Sequence, residues 1–129
     1  MESRIDEARA KKTSGKYNCA QSVACTYCDL AGMNADQIAA VTAGFGTGMG
    51  NTKGTCGAIV GAGIILGLKT ADRIKAMQAM RRVMDKFQQR NSSTTCCELK
   101  GLTGGCKLRD CNDCVADAAE FLEQELDAL

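Results

Sequence analysis

Residues 56–68 read CGAIVGAGIILGL, the longest apolar run in the chain. Its 13 residues fall short of the about 20 needed to cross a bilayer, so the run is read as an apolar helix of a globular protein. Gly57, Gly61, Gly63 and Gly67 give small-xxx-small spacings, which let another backbone approach closely. Just upstream, GFGTGMGNTKGTCG places six glycines in the fourteen positions 44–57 and is the one clearly irregular segment. It carries Gly-x-Gly-x-Gly and Lys53, yet it departs from G-x4-G-K-[ST] and follows no strand, so a nucleotide loop is disfavoured.

Working outward, the chain reads as helices on both sides. Ile5 to Lys12 forms a first helix ended by Gly15, and Asn18 caps a second from Cys19 to about Ala31, closed by Gly32. Asn34 and Gln37 make a capping-box-like pair ahead of Ile38, Val41 and Phe45. Asp72 to Gln89 is the longest helix, with Met77, Met80, Met84 and Phe87 as its core stripe. Asn91 to Gly105 reads as loop with at most one helical turn near Cys97 to Lys100. The last helix runs from about Asp110 to Ala128 with Val115, Ala118, Leu122 and Leu126 inward. No alternation is long enough for a strand. The expectation is an all-α fold: a compact single-domain bundle of five to six helices with a glycine-rich loop, spanning residues 1–129.

Composition fits that reading. A chain of 129 residues suits one domain, and 45% apolar with 24% charged residues is ordinary for a globular protein. A net charge of +1 gives no reason to expect nucleic acid as a partner, and no run predicts membrane insertion. The first residues, MESRIDEARAKK, contain no apolar stretch of an export leader, which predicts a cytoplasmic protein. Charge is unevenly placed: residues 69–90 hold seven basic and two acidic side chains, residues 115–129 five acidic and no basic ones. Two helices lying side by side, or two unrelated solvated faces, would both account for this.

The chain has no His, which excludes Ser-His-Asp hydrolysis, Cys-His proteolysis and His-ligated zinc or haem. Against this stand nine cysteines. In a reducing compartment their leading uses are metal binding and redox chemistry. On a helical wheel Cys19 faces inward at the first turn of its helix, Cys28 sits at the border and Cys25 on the polar side, where it could support contact between two copies in a homodimer. A helix N-terminus favours thiolate, so Cys19 is a candidate ligand; a small buried apolar side chain is the equal alternative. Cys56 stands where the glycine loop turns into helix, among free backbone N–H groups. Cys106-x4-Cys111-x2-Cys114 copies a ferredoxin spacing only in part, and of the adjacent Cys96 and Cys97 one is expected to be idle.

NCAQ (18–21), GFGTGMG (44–50), TCGAIVGA (55–62), CCELKG (96–101) and CVADAAEFL (114–122) resemble, in order and spacing, the C_GCAxxG_C_C family, which is described as redox-active. The resemblance covers about Ile5 to Leu126. A related domain accompanies the haem domain of split-Soret cytochromes and is associated there with an iron–sulfur centre. Matched by local context, the four hallmark cysteines look like Cys19, Cys56, Cys97 and Cys111. Cys96 could stand in for Cys97 and Cys114 for Cys111, while Cys25, Cys28 and Cys106 look like additions of this chain.

Three functions are then weighed. The first is a cysteine-ligated iron–sulfur protein carrying electrons to an unidentified redox partner, a carrier rather than a catalyst because no acid/base set is visible. The second is a thiol–disulfide redox protein without a cofactor, with Cys25/Cys28 and Cys111/Cys114 at C-x-x-C spacing. The third is a zinc or copper binding protein. The site expected is Cys19, Cys56, Cys97 and Cys111 converging on one buried spot, with three helix N-termini aimed at it.

Overall fold

Asn18 and Asn34 each accept a hydrogen bond from the backbone N–H three residues on, and Gln21 and Gln37 return one to the cap residue. These two capping boxes start α2 (Cys19–Tyr27) and α3 (Ala35–Thr42), which follow α1 (Ile5–Thr13). The computed structural model describes residues 1–129. A single turn, α4 (Gly46–Met49), lies inside the glycine-rich segment, and α5 (Gly57–Thr70) is the apolar run. Then come α6 (Arg73–Asn91), capped by Asp72, the one-turn α7 (Cys96–Leu99), and α8 (Cys111–Asp127), capped by Asp110. Six helices have eight or more residues, and the single turns α4 and α7 raise the count above the five to six expected. The only extended pairing is one antiparallel bridge, Thr55 to Thr95. No helix is long and apolar enough to cross a membrane.

The second helix is shorter than expected. At Tyr27 the backbone leaves the α region, and Cys28–Ala31 continue as a 3-10 turn stopped by Gly32 at φ 72°.

Helix α5 packs against α2, α6 and α8. Gly61 meets α2 where a Cβ would lie 2.5 Å from the Ala20 carbonyl oxygen, so only glycine permits this approach. Around it, Val23, Tyr27, Ile59, Ile65, Val83, Phe87, Val115 and Leu122 are fully or almost fully buried.

Two expected stripes are corrected. On α6, Phe87 is buried and Met80 and Met84 are half-buried against the core as expected, but Met77 is 62% exposed and Ala79 and Val83 complete the buried face, because α6 lies on the bundle's edge and only a narrow strip faces α5 and α8. On α3, Val41 is 48% exposed, while Ile38 and Thr42 turn inward one helical turn apart.

The basic and acidic segments lie side by side. Arg82 of α6 grips buried Glu125 of α8 (2.7 Å), and Arg90 bridges Asp117 and Glu120 (3.0 and 2.9 Å). At the other side of α8, buried Glu123 accepts the Tyr27 hydroxyl at 2.5 Å and the Arg4 backbone N–H at 2.7 Å, which ties the N-terminus to the bundle.

Candidate redox site at the helix starts

Four helices begin around one cavity of about 150 Å³, and each contributes a cysteine from its first turn. Cys19 is the first residue of α2, Cys56 the residue capping α5, Cys96 the first of α7 and Cys111 the first of α8, with Cys114 one turn further on. The N–H groups of a helix's first turn lack intrahelical partners and carry partial positive charge. Three of these helices, α2, α5 and α8, are long enough for that charge to add up. Thiolates or an anionic group are therefore favoured there.

The glycine-rich segment builds one wall by pairing with residues 93–97. The Cys56 N–H donates to the Thr94 carbonyl (2.8 Å), the Cys96 N–H to Gly54 (3.0 Å) and the Cys97 N–H to Thr52 (2.7 Å). This register sets Cys56 beside Cys96. Gly57 leaves room for the Cys19 sulfur, which a Cβ there would strike, and Gly48, at φ 56°, leaves room for the Cys96 side chain. Thr47 also lines the cavity and takes a left-handed φ of 54°, a strained choice for a β-branched residue. Its backbone N–H thereby faces the Cys19 sulfur, a use of strain typical of functional sites.

The thiols are not equivalent. Burial pushes Cys19 and Cys96 up, opposed at Cys19 by the Thr47 N–H and at Cys96 by Lys100. Cys56 is pushed down, by the neighbouring Cys114 thiol first and by the N–H groups of Ala58 and Ile59. Cys114 is pushed up by the neighbouring Cys56 and by burial. All nine cysteines are free thiols.

Of the four residues singled out in the sequence, Cys19, Cys56 and Cys111 line the cavity. Cys97 does not; Cys96 is there in its place. The bridge between Thr55 and Thr95 decides this, since it turns the next residue inward and the one after it outward. Cys114 lines the cavity as well, on the face it shares with Cys111 at i, i+3. Cys106 is exposed in the loop before α8, Cys25 lies further along α2 and Cys28 in the 3-10 turn after it; none of these three reaches the cavity.

The site was also missing three cations in the sequence reading: Lys12, Lys100 and Arg109 line it too. Arg109 is held by buried Asp117, whose two oxygens receive its Nε and Nη2 at 3.1 Å each. No sequence signal announces them, because they come from three separate segments.

The description "Putative redox-active protein (C_GCAxxG_C_C)" matches residues 17–125. The chain belongs to the C_GCAxxG_C_C family. No curated protein and no solved structure matches it. Membership explains why thiols gather in a family of redox-active proteins, and the soft donors fit a metal or cluster in kind. No three of the cysteine, aspartate or glutamate side chains are grouped as the ligands of one ion. Ligands of one ion must all stand at about 2.3 Å from the same point, whereas those of a polynuclear cluster sit further apart, around its several metal atoms.

Proposed function

We propose that the cysteine cavity holds an iron–sulfur cluster and that the protein carries single electrons to and from a redox partner. The observation that carries this reading is the convergence of five thiols, from the starts of four helices, on one small cavity that no carboxylate lines. A dithiol reaction needs two sulfurs; a cluster takes four.

When bound, the cluster supplies reversible one-electron chemistry. Cys19, Cys56, Cys96 and Cys111 would hold it, and Cys114, the thiol hardest to deprotonate, would stay protonated beside Cys56. The N–H groups of Thr47, Ala58 and Ile59 point at sulfur and stabilise negative charge on it. Lys12, Lys100 and Arg109 add positive charge. The chain has no histidine and the cavity no carboxylate, so the commonest acid/base groups are missing there, which suits a carrier. Free thiols throughout suit a reducing compartment such as the cytoplasm.

Purification without oxygen, followed by iron and acid-labile sulfide analysis and EPR of the reduced protein, tests this. Iron and sulfide in equal amounts with a reducible signal are expected. A colourless, iron-free protein would refute it.

One observation favours a second reading. Cys56, at a helix start, and Cys114 line the same cavity and shift each other's ionisation in opposite directions, which suits a dithiol pair. The two thiols would then give two electrons and two protons to an external disulfide, forming a Cys56–Cys114 bond. Reversible loss of two thiols in metal-free protein would mark that case.

A further inference from the structure

Lys12, Lys100 and Arg109 reach the cavity from the end of α1, the residue closing α7 and the loop before α8. Lys12 and Lys100 form no salt bridge. The neighbouring acids do not neutralise them: Asp110 pairs with Lys107 and Asp113 with Arg9. On α6, by contrast, Arg82 and Arg90 are matched by α8 carboxylates. Arg109 is fixed rather than mobile, because Asp117 takes two of its nitrogens and is itself anchored by Arg90 and Asn91 (3.0 Å each).

The cavity of about 150 Å³ has room for about five waters at the liquid share of roughly 30 Å³ each. That is too little for a nucleotide or a peptide. Lys12, Lys100 and Arg109 are half-buried, so part of each stays open to solvent beside the cavity.

We propose that Lys12, Lys100 and Arg109 form a docking ring for an acidic redox protein, which exchanges electrons with the cavity through this ring. The inference rests on the reading of the cavity as the redox centre. In the exchange one electron passes from the reduced centre to the oxidised partner, and no bond forms or breaks. Like charges gathered around a redox centre, here with Lys12 and Lys100 free of any carboxylate, steer oppositely charged partners and set the on-rate, an effect that salt screens.

The test mixes the reduced protein with oxidised plastocyanin, an acidic acceptor, or oxidised cytochrome c, a basic one, in stopped flow at several ionic strengths. Plastocyanin is expected to react faster at low salt and to lose about tenfold in rate as salt rises, within the range seen for steered association. The double substitution Lys12→Glu with Lys100→Glu is expected to reverse the preference, and the milder Lys12→Gln with Lys100→Gln to halve the salt slope or more. Lys75→Glu, on the exposed face of α6, is expected to change neither. Equal rates and salt slopes for both acceptors, or an unchanged preference in both double variants, would overturn the docking ring. Electron transfer to neither acceptor would overturn the redox reading, and the ring with it.

Discussion

The two ends of α2 both carry cysteines, and they differ in what the helix offers them. At the start, Cys19 meets the Thr47 N–H, its own helix's free N–H groups and four further thiols around a shared cavity. At the other end, Cys25 and Cys28 sit where carbonyls are free, and the Cys28 thiol donates to the Cys25 carbonyl at 3.4 Å. Burial pushes Cys25 up, with Cys28 adding to it. Burial raises both Cys19 and Cys25; the difference is that backbone N–H groups oppose the rise at the start of the helix and carbonyls do not at its end.

The largest effect expected from this contrast is on cofactor content. Cys56→Ser removes the thiol at the start of α5 and is expected to abolish iron and sulfide incorporation. Cys25→Ser with Cys28→Ser is expected to leave both unchanged by the same analysis.

Next in size is Asp117→Asn. This carboxylate is 3% exposed and takes four hydrogen bonds from Arg90, Asn91 and Arg109. The substitution turns an amide NH2 towards donors and removes the charge that the partly exposed Arg90 and Arg109 face, at a cost of about 2–3 kcal/mol in urea unfolding, solvent around the two guanidiniums limiting the loss. Glycines at the two ends of α5 make a smaller comparison. Gly57→Ala puts a methyl against the Cys19 sulfur and 2.5 Å from the Phe45 carbonyl oxygen, and should cost about 2 kcal/mol. Gly67→Ala, in open space near the other end of the helix, should instead add about 0.5–1 kcal/mol.

How much of this was legible in the sequence follows the range of the forces involved. Caps and helix stops are local, and Asn18, Asn34, Gly32 and Asp72 could be read directly. Cys19, Cys56 and Cys111 also announce themselves, since each lies at a helix start that local signals locate. Whether Cys96 or Cys97 turns inward depends on the Thr55–Thr95 bridge, a contact between distant segments. The exposure of Met77 and Val41 depends on which neighbours reach α6 and α3, and periodicity alone does not supply that. The three cations were hidden because no two lie in one segment.

The smallest expected effect is at the cavity-remote end of α2. Arg4 donates to Asp29 at 2.7 and 3.1 Å and holds its carboxyl below the usual range. Because the folded-state value is depressed, the stabilisation is present above the ordinary carboxylate range and is lost as pH falls through the depressed value. Asp29 is 62% exposed, so solvent screening limits this to a few tenths of a kcal/mol. Urea midpoints on either side of the range should show it, and Arg4→Gln should remove it.

The most direct measurement is the iron and acid-labile sulfide content of a variant in which Cys25, Cys28, Cys97 and Cys106 are all serine, purified without oxygen. Only the five cavity cysteines, Cys19, Cys56, Cys96, Cys111 and Cys114, then remain. The account predicts the same iron and sulfide per chain as in the parent, with the same EPR signal on reduction. Loss of the cluster in this variant, with its helical circular dichroism intact, would contradict it.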